Sequence, residues 1–253
     1  MKRWLNNVGI LAMADLREFY RTRFIILSSS VMPVFMTLAF SSAHIQIGAE
    51  TGTGSYFEFI YPAILALGCM FSATFSGGYM VILDRQKSVI REMALSPTPY
   101  SAYAAARMFA TVIKCFPQLG LTLLVAAPFY SGWASTNWAW ILAAYVLTSL
   151  LFAACGMILG AYSNILTLPG WSNLVLMPSM YFCAVFFPLS DYQNAAIAVQ
   201  LMPFTGAVEL FRYGITGIAP LYGIGMNLLL LVGYTILLAL LWIVVLQRRI
   251  REG

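Results

Sequence analysis

Apolar residues along this chain gather into six long runs separated by short polar stretches, with little alternation inside each run. The runs cover Phe24–Ala43, Phe57–Leu83, Ala105–Tyr130, Trp138–Tyr162, Pro169–Phe187 and Leu221–Leu246. Each holds roughly 20 mostly apolar residues, the length that crosses a hydrocarbon core at 1.5 Å of rise per residue. The pattern therefore predicts six transmembrane helices and an all-α integral membrane fold. A different pattern precedes them. Trp4, Val8, Leu11, Leu16 and Phe19 recur at near-helical spacing, while Lys2, Arg3, Asp15, Arg17, Glu18 and Arg21 fall mostly elsewhere. That spacing predicts an amphipathic helix lying in the membrane interface, with a plain basic anchor as the alternative. One membrane domain over residues 1–253 is the economical division: an interface helix at 1–23, six spans at 24–246 and a tail at 247–253.

Composition fixes the solvent. Of 253 residues 61% are hydrophobic and 9% charged, against roughly 25% charged in soluble domains, and mean hydropathy is +0.82. The net charge is +5, and its placement decides what it means. Lys2, Arg3, Arg17, Arg21 and Arg23 precede the first run; Arg85, Lys87 and Arg91 follow the second; Arg248, Arg249 and Arg251 follow the last. Basic residues mark the cytoplasmic side, so both ends and the second loop are expected inside. No basic patch is interleaved with aromatics outside the runs, so a nucleic-acid partner is not expected. The opposite side is consistent: Gln46–Ser55 carries Glu50 and no base, Ser131–Asn137 is uncharged, and Trp133, Trp138 and Trp140 supply an interfacial belt. The small residues Ser41-Ser42-Ala43 resemble a cleavage site. The 23 residues ahead of that run, Asp15 and Glu18 among them, favour a retained span.

Chemistry-bearing residues are few. Cys69, Cys115, Cys155 and Cys183 each sit within an apolar run, at spacings that suit packing rather than a disulfide scaffold or zinc. His44 stands alone, so no metal site and no catalytic centre are expected. The loop after the second run, Asp84–Pro99, contains good helix formers with Val89, Ile90 and Met93 on one side and is stopped by Pro97 and Pro99. A short rigid helix there is a docking knob for a soluble partner, or else a connector lying on lipid. After the fifth run, Ser190 and Gln193 form a capping-box pattern with Asp191 in the first turn. Pro203 breaks the helix that follows, and a second short helix over Gly206–Tyr213 ends at glycine. Two half-helices predict an outer re-entrant hairpin. Within it Glu209 and Arg212 stand i, i+3 and can pair, either as a route or gate or as a structural ion pair near the headgroups. Lys114, inside the third run, can snorkel to the cytoplasmic surface or face the bundle interior.

Several classes are excluded or weakened. Lys2, Lys87 and Lys114 follow no glycine, so the chain lacks the phosphate-cradling loop of a P-loop ATPase. No run carries the paired carboxylates of an ion-coupled secondary transporter, the leading alternative. A membrane-embedded enzyme would need a nucleophile or metal cluster that the sequence does not offer.

Three elements then resemble the ABC type-2 transporter permeases: Arg91-Glu92-Met93-Ala94-Leu95-Ser96-Pro97-Thr98-Pro99 after the second run, Phe186-Phe187-Pro188-Leu189-Ser190 after the fifth, and Met202-Pro203-Phe204-Thr205 followed by Phe211-Arg212-Tyr213-Gly214. Their order and the six-run layout extend the resemblance over nearly the whole chain. Met202 departs from the asparagine usual before that proline. The resemblance implies a coupling helix through Lys87, Val89, Ile90, Arg91, Glu92 and Met93, seated in a groove of a separate ATPase subunit. It implies an outer hairpin with Pro188, Asp191, Pro203, Glu209 and Arg212, and makes the N-terminal segment an interface helix. Two permeases, identical or paralogous, would work with two P-loop ATPase subunits in a plasma (inner) membrane. ATP and Mg would bind only the ATPases, and this chain would bind no cofactor. A lipophilic or amphipathic export substrate is the expectation.

Overall fold

The computed structural model of the chain describes residues 8–13, 15–17, 23–42, 56–89, 99–130 and 132–252, and among these it is helical without a strand. From Arg23 onward the described helices are α1 (Arg23–Ser42), α2 (Tyr56–Gln86), α3 (Tyr100–Ala126), α4 (Trp138–Tyr162), α5 (Leu168–Phe182), α6 (Ala196–Gln200), α7 (Pro203–Thr216) and α8 (Gly223–Glu252). Upstream of α1, residues 8–13 and 15–17 are also helical. Among the described residues α2, α3, α4 and α8 are long and apolar enough to cross a membrane, and α1 contributes a shorter apolar stretch, Ser30–Ser42.

Where element ends depart from the hydrophobic pattern, the cause is local. α3 starts at Tyr100 rather than Ala105, because Pro99 (φ −68°, ψ 140°) sets the extended entry and the residues after it are free to wind at once. α8 continues past Leu246 to Glu252, since the polar Gln247–Glu252 segment consists of good helix formers. α5 is the main correction. Instead of reaching Phe187 it ends at Phe182 after 15 residues, about 22 Å of helix against a hydrocarbon core of about 30 Å. The chain then bends through residues 183–187, and Ala184 adopts φ 45°, a left-handed conformation that a side chain disfavours.

The bundle is organised on the crossing of α2 and α4. A methyl group added at Gly156 would stand 2.1 Å from the carbonyl oxygen of Thr74, and one at Gly160 would stand 2.4 Å from that of Gly78. The two backbones touch, an approach that only glycine permits and that small residues four apart provide on one helix face. α4 is apolar around its whole circumference, as expected for a helix with neighbours on all sides. Its buried face includes Tyr145, Leu151, Phe152 and Met157, and α7 adds Phe204, Leu210 and Phe211 to the same core. The C-terminal end of α4 is held from α2: Arg85 donates from Nη1 to the carbonyls of Gly160 (3.3 Å), Ala161 (3.2 Å) and Ser163 (3.1 Å). These are terminal carbonyls left without helical partners, and a cation there also suits the helix dipole. Prolines lie within α1 (Pro33), α2 (Pro62), α3 (Pro117) and α5 (Pro178).

The glycine contact yields a direct test. Gly156→Ala is expected to lower the melting temperature in detergent, through an overpacking loss of about 1–3 kcal/mol. Gly233→Ala, where a methyl group meets nothing within 4 Å, should match or slightly exceed the parent. Equal melting of the two variants would rule out backbone contact at the crossing.

Candidate functional site

The docking segment proposed from the sequence is described only at its start. Lys87 is exposed and Val89 half-buried, next to Ser88 at φ 58°. Ile90, Arg91, Glu92 and Met93 lie outside the described residues. The two helices that flank the segment are joined at their feet. Asp84, two residues before the end of α2, is buried; its Oδ1 accepts from Nη2 of Arg107 at 2.8 Å, and its Oδ2 accepts from the hydroxyl of Tyr103. Tyr103 and Arg107 are i, i+4 on α3 and so share a face. The C-terminal end of α2 and the first two turns of α3 are therefore tied together.

Lys114 belongs to the same construction. It lies two turns above Arg107 on α3, is 7% exposed, and its Nζ meets Oδ2 of Asp15 at 2.7 Å and Sδ of Met80 at 3.5 Å. The amine ends in the protein interior, so the snorkelling alternative is set aside. Arg107 reaches Asp15 as well, at 3.4 Å. Asp15 was placed with the polar residues of the amphipathic segment, yet it is buried. Val8, Leu11 and Leu16 are half-buried, Ile10 and Met13 are exposed, and Trp4 and Phe19 lie outside the described residues.

Two carboxylates and two cations thus form one neutral cluster across three chain segments. Neutrality is what makes such a cluster tolerable away from water, because each charge loses hydration and must recover it from a partner. Asp15 and Asp84, both outside the apolar runs, are 69 positions apart but share Arg107.

The opposite end of the bundle carries a second pair. The chain from Leu189 to Ala195 winds as a 3-10 turn, followed by α6 and then by α7, with Pro203 at the start of α7 and Gly217 (φ 74°) at its end. The Ser190 hydroxyl donates to the Asp191 carboxylate at 3.2 Å, and the side chain of Gln193, the other half of the capping-box pattern, lies outside the described residues. The Asp191 N–H in turn donates to the Pro188 carbonyl at 3.1 Å. α7 also begins at Met202 without a side-chain cap. Thr205 closes the junction by donating to the Val199 carbonyl at 2.6 Å.

Glu209 and Arg212 are both buried and pair across one turn of α7. Nη2 of Arg212 donates to the Ala184 carbonyl at 3.1 Å, and the guanidinium lies 4.0 Å from the centre of the Phe59 ring. Arg212 therefore supplies a partner to the backbone where α5 breaks off and ties α7 to the outer end of α2. α8 holds the hairpin from the other side: Gln200 donates to Asn227 at 2.9 Å, and the Tyr234 hydroxyl donates to the Leu201 carbonyl at 2.8 Å. The turn before α4 holds its far end through Asn137 N–H to the Gly214 carbonyl (2.7 Å) and Tyr130 to the Ile215 carbonyl (3.0 Å).

Sequence reasoning singled out Lys114, Glu209 and Arg212 but passed over Asp15, Asp84, Tyr103 and Arg107. Arg107 was the available signal, a second cation inside the third apolar run. All four cysteines are free, and none of the described residues forms a cluster suited to a metal ion.

The profile of the ABC-2 type transporter family matches residues 6–216, which takes in both charged sites and the hairpin between them. The chain belongs to this family and is a transmembrane permease component of an ATP-binding cassette transporter. Membership implies association with an ATP-hydrolysing partner, and the family is one of transport subunits rather than enzymes. No curated protein matches the chain.

Two outcomes follow from the geometry. Asp84→Asn and Arg107→Met should each destabilise by about 3–5 kcal/mol, because each leaves a buried charge without its counter-ion. The double variant should lose far less than the two singles together, as a double-mutant cycle on detergent melting will read. Ala184→Gly should raise stability by about 1 kcal/mol by relieving the left-handed backbone.

Proposed function

We propose that this chain is the permease subunit of an exporter that moves a lipophilic or amphipathic substrate (a drug, lipid or lipid-linked glycan) out of the cytoplasm or inner leaflet. Its energy comes from two copies of a separate P-loop ATPase, which bind ATP and Mg. The observation that carries the reading is the family match together with the closed base of the α2–α3 loop. Asp84, Tyr103 and Arg107 tie together the two helix ends that flank the loop, the firm mount that a docking element requires.

Within this reading residues 1–253 form one ABC type-2 transmembrane domain with six spans. α1 and α5 complete the set begun by α2, α3, α4 and α8, and both ends of the chain face the cytoplasm of a plasma (inner) membrane. α5 buries only Leu168, Ser172, Leu176 and Met180, a single line, and exposes Trp171, Leu174, Tyr181 and Phe182. That surface calls for lipid or a second permease copy or paralogue. The segment Lys87–Met93 is the coupling helix, the N-terminal segment is the interface helix, and Pro188–Gly214 is the outer re-entrant hairpin. ATP binding clamps the ATPases, the coupling helices are drawn together, and the spans open outward. The differential affinity that drives the change resides in the ATPases, and the permease transmits it.

An ion-coupled secondary transporter is the second reading, favoured by the meeting of Asp15 and Asp84. Arg107 and Lys114 argue against it, since each carboxylate is matched by a cation. Purification of the tagged chain from its native membrane is expected to capture a P-loop ATPase. Deletion of Val89–Met93 should leave the chain in the membrane but uncouple hydrolysis from transport. Substrate-stimulated ATPase activity unchanged by that deletion would sink the docking assignment, and failure to capture any nucleotide-dependent partner would favour ion coupling.

A further inference from the structure

The base of the docking loop is closed by Asp84, Tyr103 and Arg107 alone. Lys114 is not needed for that closure, and neither is Asp15. Yet both are buried, and their 2.7 Å contact is the shortest ion pair that reaches the N-terminal segment. Burial of a Lys–Asp pair is weak evidence for stability, because a well-packed apolar pair of similar volume is commonly as stable. Its best-attested use is to fix one arrangement of elements among several. The arrangement fixed here is specific. Asp15 sits between Arg107 and Lys114, one turn of helix to either side along α3, and grips both. Through Arg107 it is also in series with Asp84 on α2.

We propose that Asp15 and Lys114 are positioning residues for energy coupling. They form an ion-pair clamp that makes the N-terminal segment move as one body with the feet of α2 and α3. This rests on the permease reading above. A pull on the docking loop reaches Asp84 and Arg107 first. Without Asp15 the movement would end in the two helices. With Asp15 engaged, the segment at the membrane interface is carried along, and α1, which follows it in the chain, is moved from its inner end. The apolar exposure of Ile10 and Met13 (67% and 59%) places a lipid-facing side on the segment, so its displacement acts on the interface itself. Among the described residues the cluster also includes Tyr103 and Asp84, hydrogen-bonded to each other, and Met80, whose sulfur lies 3.5 Å from the Lys114 amine.

The test uses the full chain in complex with its captured ATPase, with hydrogen exchange of residues 8–17 as the readout. Adding a non-hydrolysable ATP analogue to the wild-type complex is expected to change exchange in that segment together with the first turns of α3. In Asp15→Asn/Lys114→Met, which removes both charges and leaves no unpaired ion, the chain should still fold and capture the ATPase through residues 87–99. Exchange at residues 8–17 should then be about 10-fold faster and no longer respond to nucleotide, since loss of the clamp lets the segment open locally. Transport per ATP hydrolysed should fall in step. Asp15→Glu/Lys114→Arg, which keeps the charges, should recover most of the nucleotide response. A double-neutral variant with a wild-type nucleotide response and wild-type transport overturns the clamp while leaving the permease reading intact. A neutral variant that does not fold, with the charge-retaining variant folded but unresponsive, also overturns it. A wild-type chain that captures no ATPase overturns the permease reading, and the coupling role with it.

Discussion

Everything in this bundle is placed by the contact between the backbones of α2 and α4. Where two helices touch through glycine, their separation and crossing are set by main-chain atoms, which cannot change rotamer to absorb an error. α4 then fixes α7 and α8, which pack on its other sides, and α2 carries a functional group at each end. Asp84 near the C-terminal end ties α2 to α3. Phe59 at the outer end receives Arg212. α2 thus carries both charged sites, one on each side of its crossing with α4.

Lipid gives these sites their form. In water a helix that stops early leaves its carbonyls to solvent, but a helix ending at membrane depth must find partners in the protein. α5 ends early, and a buried guanidinium meets the carbonyl of Ala184. The same rule explains why the charges come as neutral sets. An isolated Arg107, Lys114 or Arg212 would be prohibitive in this setting, whereas Glu209 beside Arg212, and Asp15 with Asp84 beside the other two, hold each ion in place of its hydration.

Much of the fold was legible because lipid forces long apolar runs. Trp138–Tyr162 is the same segment in the hydrophobic pattern and in the structure, since α4 is apolar from its first turn to its last. α3 was placed five residues late because Tyr100–Ala104 is small and mixed in polarity, so hydropathy does not register a helix that proline has already begun. α5 was drawn too long for the opposite reason: Cys183–Phe187 is apolar but not helical, and composition carries no information about a left-handed Ala184. The sites divide similarly. Glu209 and Arg212 were readable because one turn of helix brings them together. The inner cluster was not, because Asp15, Asp84 and Arg107 meet only when three distant segments pack, and no local spacing announces a meeting of that kind.

The distribution of prolines has a mechanical meaning. Each internal proline in α1, α2, α3 and α5 removes one backbone bond and frees a carbonyl four residues earlier, so each of these helices has a point where bending needs little energy. α4 and α8 have no such point. The bundle thus divides into a stiff spine of two uninterrupted helices and four jointed limbs around it. The loop between α2 and α3 thus joins two of the jointed limbs, and the uninterrupted spine lies beside them.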